Sequence, residues 1–427
     1  MTYRITAPKT TKATINLPAS KSISNRALVI KALTKKDSPI HNLSDCDDTE
    51  VMVKALKELP HTIDIKAAGT AMRFLTAYLA ATPGEHIITG TERMKHRPIA
   101  TLVDALRYLG ADIEYAGEQG FPPLHIKGQT LEGGHLEIPG NISSQYITAL
   151  LLIAPELKKG LELKLTGEIV SRPYIDLTLS MMQDFGAKAE WTGFDTIMVS
   201  PGHYAARDYQ IENDWSAASY WYEVMALTDD NDSTTRLTGL MDGSRQGDSM
   251  VRHLFRLLGV RSTFDNQSDT DRQPNTKAWH QQSITNVTLE KADSRVSRID
   301  YDFTEIPDLA QTVVVTCALL DIPFKFTGLA SLRIKETDRI EALKQELRKL
   351  GYVVSDEQDG TLTWEGERCE PSDEPIDTYE DHRMAMAFAP AALKTGAICI
   401  NNPEVVSKSY PHFWDDLRSA GFNIEEL

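Results

Sequence analysis

The sequence predicts a mixed α/β protein built from a repeated unit, and three observations carry that reading. Six times a short polar or glycine-bearing segment opens into a run of small and apolar residues. A second, amphipathic helix follows each run, and in five of the six it closes on a glycine. Short alternating segments such as LHIKG and HLEIPG supply the strands.

In chain order the openers are Ser20-Lys21-Ser22, Gly69-Thr70-Ala71, Ser143-Ser144-Gln145, Asp214-Trp215-Ser216, Ile306-Pro307-Asp308 and Asp381-His382-Arg383. They lead into ALVIKAL, MRFLTAYLA, YITALLLIA, AASYWYEVMAL, AQTVVVTCALL and MAMAFAPAAL, which are apolar nearly all round and read as buried helices. The closing glycines are Gly110, Gly186, Gly259, Gly351 and Gly421, placed where a chain leaves a helix through a left-handed residue. The first unit has Pro60 instead and runs through HTIDIKAA straight into Gly69. Other units have room there for more strands, so the first is expected to have lost a strand pair and to leave a sheet edge that needs covering. Beyond the shorter first unit, a spacing of about 70 to 90 residues is too long for ordinary solenoid repeats. The stretch from Asp265 to Arg298, rich in Asp, Asn, Gln, Ser and Thr, reads as a solvated loop with a hairpin and short strands such as SITNVTLE.

A chain of 427 residues is too long for one ordinary core, so two domains are expected. No apolar run approaches the length of a bilayer span, and MTYRITAPKTTKATINLPAS lacks the apolar core of a signal peptide, which makes the cytoplasm the expected location. Cys46, Cys317, Cys369 and Cys399 lack metal-ligand spacing and read as ordinary thiols. The formal charge of −16 argues against a nucleic-acid or anionic membrane partner.

Against that acidic background two basic clusters stand out: Arg93, Lys95 and Arg97 in TERMKHRPIA, and Arg333, Lys335 and Arg339 in SLRIKETDRI. If the buried helices pack side by side, their N-termini emerge together, and the converging amides and dipoles favour anions while repelling cations. Cations gathered there are better explained by an anionic ligand than by surface decoration. Each motif alone also has an ordinary account. Lys21, Ser22 and Arg26 fit an N-capped, solvated helix face; Gly69-Thr70 fits a turn; Ser143-Ser144-Gln145 fits a cap. Lys335 and Arg339, four apart beside Glu336 and Asp338, fit an exposed helix laced with ion pairs. Lys408 in SKSYPHFW fits a snorkelling surface lysine. Their recurrence at corresponding places in six repeats favours a shared site.

The strings LPASKSISNRAL, GTAMRFL, RMKHRPIATLVDAL, SSQYITALL, SRPYIDLTL, IPDLAQT, RIKETDR, DHRMAMA and SKSYPHFW, running in order from about Pro18 to Phe413, resemble the 5-enolpyruvylshikimate-3-phosphate synthase family. The resemblance implies two similar, hinged domains, each of three βαβαββ units with buried parallel helices, an inside-out α/β barrel. One domain would join residues 1–19 to 215–427, and the other would span 20–214. The implied reaction moves an enolpyruvyl group from phosphoenolpyruvate to the 5-hydroxyl of shikimate 3-phosphate through a tetrahedral intermediate, releasing phosphate, on the route to chorismate and the aromatic amino acids. The family is the target of glyphosate. No metal or organic cofactor is implied, and the partners are small anions, with the chain expected to act as a monomer.

By the same resemblance Asp308 matches the base on the attacking hydroxyl and Glu336 the donor to the methylene carbon, with Lys21 sharing the proton work. Lys21, Gly69, Arg97, Gln145, Arg339, Arg383 and Lys408 match the phosphoenolpyruvate set. Lys21, Ser22, Arg26, Ser143, Ser144, Gln145, Ser171, Tyr174, Asp308 and Lys335 match the shikimate 3-phosphate set. The chain departs from the family pattern at Ala67 and Ser331, where asparagines are usual, and at Phe74, where proline is common. Other readings are a sister enzyme acting on a UDP-sugar, a non-catalytic paralogue binding the same anions, and a repeat scaffold for protein partners. The first lacks its reactive cysteine in RMKHRP, the second conflicts with retention of Asp308 and Glu336, and the third with the clustered arginines.

Overall fold

The structure, a computed structural model, describes residues 1–34, 36–265 and 284–427. It divides into two compact units, Ser20–Ile211 and Met1–Ala19 joined to Glu212–Leu427. The second break falls at Ile211–Glu212, ahead of the 214–215 boundary that the resemblance implies.

In the central unit the helices Lys21–Thr34, Gly69–Ala81 and Ser144–Ile153 pack pairwise and are largely buried. Two four-stranded sheets accompany them. Thr62–Asp64 pairs in parallel with Gly84–Thr89, the helix Gly69–Ala81 forming the crossover, and Leu124–Gly128 and Asp112–Tyr115 add an antiparallel pair. Gly134–Pro139 and Leu161–Thr166 are likewise parallel about Ser144–Ile153, extended by Thr196–Val199 and Ala189–Trp191. The third sheet contains only Ile40–His41 and Tyr209–Gln210, parallel, among the described residues. The expected loss of a strand pair from the first unit is therefore seen directly. Its edge is kept harmless by brevity, by the His41–Asp208 pair at 2.8 Å and by an Asn42 amide donating to the Ile211 carbonyl at 2.9 Å.

The second unit repeats the plan. The helices Trp215–Leu227, Ala310–Leu319 and His382–Phe388 pack pairwise. Lys12–Asn16 runs parallel to Thr234–Met241, followed outward by Ile284–Lys291 and Val260–Phe264. Ile299–Asp302 runs parallel to Phe324–Thr327, with Leu362–Trp364 antiparallel. Thr2–Thr6 lies between Ala397–Asn401 and Asn423–Glu426, so the N-terminal strand completes the sheet of the last repeat. The polar excursion needs correcting on one point: Ile284–Lys291 is an inner strand paired on both sides, held by buried Val287 and Leu289. Residues 266–283 of that stretch lie outside the described residues. No helix among the described residues is long and apolar enough to cross a membrane.

All five closing glycines take positive φ, from +86° at Gly186 to +102° at Gly110. The first unit makes the same exit with Leu59, at φ +41°, before Pro60. Nothing lies within 4 Å of a Cβ built on Gly110, so Gly110→Ala tests conformation alone. It should lower the unfolding free energy by about 1 kcal/mol, read from denaturant melts; an unchanged midpoint would count against a left-handed exit there.

One buried group in the second unit titrates in an informative way. Glu223, on Trp215–Leu227, is fully buried, and the Thr316 hydroxyl beside it offsets that burial only in part. Burial raises its pKa well above the ordinary carboxyl value. A raised folded-state pKa adds stability that is complete below the unfolded value of about 4.3 and is lost as pH rises through the folded one. Glu223→Gln should remove that decline, so the stability of the variant relative to the unaltered protein grows with pH above about 5. Parallel stability–pH curves would show that Glu223 takes up no proton on folding.

Candidate active site

In the central unit the helix starts carry the expected residues. Ser20 begins the first, its carbonyl accepting from Ser24 N at 2.9 Å, and Lys21 follows with its ammonium 3.3 Å from Asp48. Arg26, one turn on, is only 4% exposed. Its guanidinium donates to Thr178 Oγ1 at 2.9 Å, Thr148 Oγ1 at 3.3 Å, and the carbonyls of Ser22 and Tyr174 at 2.8 and 3.2 Å. Phe74 lies beneath it, 5.7 Å from ring centre to guanidinium carbon, which gives the departure at Phe74 a packing role. These hydrogen-bond partners are neutral, and burial draws the Arg26 pKa down to about 10. A buried cation among neutral acceptors is a strong host for an anion.

The helix Gly69–Ala81 starts without a side-chain cap, so its first amides are open to an anion. Glycine lets both guanidinium groups come close there: a Cβ on Gly69 would lie 2.8 Å from Arg97 Nη1 and 3.0 Å from Arg73 Nη1, so those side-chain ends would have to shift. Arg73, which sequence reasoning passed over within GTAMRFL, is 4% exposed and donates to the Gly69 carbonyl at 3.0 Å. Gln145 Nε2 donates to Thr70 Oγ1 at 3.1 Å, which ties the start of Ser144–Ile153 to this point. Ser143 caps that helix, accepting from Gln145 N at 3.4 Å. Tyr146 donates to the Pro98 carbonyl and lies under Arg73 at 5.7 Å. Ser171 precedes Arg172–Asp184 at φ +55°, a strained setting for serine, and its carbonyl accepts from Tyr174 N at 3.1 Å. The basic cluster of TERMKHRPIA splits: Arg97 turns to Gly69, Lys95 pairs with Glu92 at 2.6 Å, and Arg93 is exposed. Ala67 is exposed just before the Gly69 helix.

The second unit builds its set around Arg339, which is 1% exposed. Nε donates to Asp381 at 2.7 Å, Nη1 to Asp308 at 3.1 Å, and Nη2 to Glu336 at 2.9 Å and to Asp381 at 3.3 Å, so the three nitrogens together face three carboxylates. With its amide oxygen turned toward the guanidinium, Gln311 accepts from Nε and Nη1 at 2.9 and 3.3 Å. Asp308, in the short turn Pro307–Leu309, also meets Arg383 at 3.2 Å and Lys335 at 3.4 Å. Lys408 meets Glu336 at 3.3 Å. Burial pushes the Asp308 carboxyl up, but Arg383, Lys335 and Arg339 together outweigh it and hold its pKa well below the usual carboxylate range. The Arg339 pKa is raised: its burial is outweighed by Asp381, Glu336 and Asp308.

Two sequence readings need amending. Lys335 and Arg339 do not share a helical face, because the helix begins at Arg339 with Asp338 as cap, accepting from Ile340 N and Glu341 N at 3.1 Å. Arg333 belongs to a separate group, held by Asp338, Asp356 and Asp359 at 3.1, 3.0 and 2.8 Å. In this unit the residue whose part the sequence did not reveal is Asp381. It is fully buried, caps the helix His382–Phe388 by accepting from Arg383 N at 2.9 Å, and is the nearest partner of Arg339. Its place before HRMAMA marks a cap, and nothing in that string marks its second task.

Residues 5–65 and 60–417 match the family described as EPSP synthase (3-phosphoshikimate 1-carboxyvinyltransferase). A 3-phosphoshikimate 1-carboxyvinyltransferase of Bacteroides fragilis is 58% identical over 426 residues, covering 100% of this chain and 99% of that one. One from Photobacterium profundum is 35% identical over 431 residues, covering 94% and 95%. Among solved structures, EPSP synthase from Acinetobacter baumannii has the same fold, with a TM-score of 0.78 over the whole of both chains at 21% identity.

Lysine cannot face three carboxylates from one point charge as the planar fork of Arg339 does. Arg339→Lys should therefore leave buried Asp381 poorly paired and lower stability by about 3 kcal/mol. Chemical denaturation checks this, and a loss below about 1 kcal/mol would deny Arg339 its organising role.

Proposed function

The chain belongs to the EPSP synthase family, and from that premise we propose how its residues carry the family reaction. It is a 3-phosphoshikimate 1-carboxyvinyltransferase: it transfers the enolpyruvyl group of phosphoenolpyruvate to the 5-hydroxyl of shikimate 3-phosphate and releases phosphate. The observation that carries the residue assignment is the arrangement of Asp308 and Glu336 about one buried arginine, with Lys335, Arg383 and Lys408 beside them.

In the addition step the 5-hydroxyl oxygen bonds to C2 of phosphoenolpyruvate, its proton passes to Asp308, and C3 takes a proton from Glu336. In the elimination step C3 returns a proton to Glu336, the C2–O bond to phosphate breaks, and the departing phosphate takes up the proton that the hydroxyl gave, which restores the Asp308 carboxylate. Lys21 assists the proton transfers and holds substrate oxygen. Arg97, the Gly69 amide, Gln145, Arg339, Arg383 and Lys408 neutralise the phosphate and carboxylate of phosphoenolpyruvate. Ser22, Arg26, Ser143, Ser144, Gln145, Ser171, Tyr174 and Lys335 hold shikimate 3-phosphate, with Asp308 on its hydroxyl.

Without ligand, Asp308 is a weak base because three cations face it. Substrate anions compete for those cations, so phosphoenolpyruvate raises the basicity of Asp308 as it binds, and proton abstraction is favoured when both substrates are present. The reading takes the chain as a monomer working in the cytoplasm on small anions.

Phosphate release should require phosphoenolpyruvate and shikimate 3-phosphate together, and a folded protein that releases none would overturn the assignment. Glu336→Gln should fold and bind both substrates, yet turn over at least about 100-fold more slowly, the scale of one general acid–base group. Near-normal turnover would remove Glu336 from proton transfer.

A further inference from the structure

The helix Arg339–Lys349 grips one neighbouring segment at two places. At its start Arg339 binds Asp381. Two turns further along, Glu346 is fully buried and accepts from Asp377 N at 3.0 Å and from the Tyr379 hydroxyl at 2.6 Å. Gln345 Oε1 lies 2.8 Å from the same hydroxyl, whose single proton goes to the nearer Glu346 carboxylate. Lys349 bridges Glu346 and Asp377 at 2.8 and 2.9 Å, and Asn401 donates to Asp377 at 2.8 Å.

Between these grips lies a turn that its own residues disfavour. Asp381 N donates to the Thr378 carbonyl at 2.8 Å, closing four residues whose central pair, Tyr379 and Glu380, have φ of +53° and +57°. Two positive φ values in succession are the type I′ pattern, which selects asparagine and glycine. Tyrosine and glutamate hold it only where the surroundings over-determine it. Glu380 is exposed, so the hold comes through the Tyr379 hydroxyl and the Asp377 amide, both on Glu346. The turn delivers Asp381, which takes the Arg339 guanidinium and caps the amide of Arg383, whose side chain reaches Asp308 at 3.2 Å.

We propose that Glu346, through Tyr379, is a positioning residue for the phosphoenolpyruvate-binding arginines: it holds the left-handed Tyr379–Glu380 turn that aims Asp381 at Arg339 and sets Arg383. The assignment of those arginines to phosphoenolpyruvate rests on the function proposed above.

Glu346→Gln keeps the size of the side chain but leaves one acceptor oxygen for two donors and removes the charge facing Lys349. The KM for phosphoenolpyruvate should rise roughly tenfold while that for shikimate 3-phosphate stays within about twofold, a loss of the order seen for supporting residues. Adding Glu380→Gly should recover most of the loss, because glycine takes positive φ without strain. Tyr379→Phe, which deletes one hydroxyl, should show the same selective shift if the first variant folds poorly. A lower Tm with both KM values unchanged, or no recovery on adding Glu380→Gly, would overturn the proposal and leave Glu346 a stabilising residue only. Amide exchange at Asp381–Arg383 gives a readout independent of activity: it should quicken in Glu346→Gln while the buried helices stay protected. If the unaltered protein releases no phosphate, the functional reading falls, and unchanged exchange would bring down the holding role as well.

Discussion

Arg339 is the constraint around which the second unit is arranged. A guanidinium that is 1% exposed is tolerated only if its donors are satisfied by charge, and Asp381, Asp308 and Glu336 do so from three separate segments. Once the arginine is buried, those carboxylates have little freedom, and the cations that answer them, Lys335, Arg383 and Lys408, are placed in turn. Four cations and three carboxylates leave the group nearly neutral without substrate. An anion entering it exchanges one set of charge contacts for another, which keeps the desolvation cost of an empty cationic pocket small.

The central unit surrounds its buried arginine differently. Arg26 is surrounded by hydroxyls and carbonyls, and its lowered pKa contrasts with the raised pKa of Arg339. Arg73 and Arg97 crowd the uncapped start of Gly69–Ala81, where helix dipole and side chains act with the same sign. Arg26 in one unit thus sits among neutral acceptors, whereas Arg339 in the other sits in a network of carboxylates.

The shortened first repeat shows how much of the architecture is dispensable. Its sheet is reduced to Ile40–His41 and Tyr209–Gln210, yet its buried helix still presents Lys21, Ser22 and Arg26. Strands far from the helix starts can be lost when the new edge is short and charged.

The sequence by itself determined the sixfold rhythm, the buried helices and their starts, the glycine exits and the missing strand pair, because each follows from local periodicity or from a residue's own φ preference. It also singled out Asp308, Glu336, Lys335 and Arg339, which lie in distinctive strings and which the structure brings together. Only the tertiary structure decided which carboxylate each cation meets. Asp381 reads as a cap until Arg339, 42 residues away in the chain, is seen on it, and Glu346 reads as an ordinary helix glutamate until Tyr379 is seen to need it. Lys335 was misplaced on a helix because the capping role of Asp338 depends on how the preceding turn packs. Pairings between distant segments are set by packing and desolvation, and these leave no periodic trace in the chain.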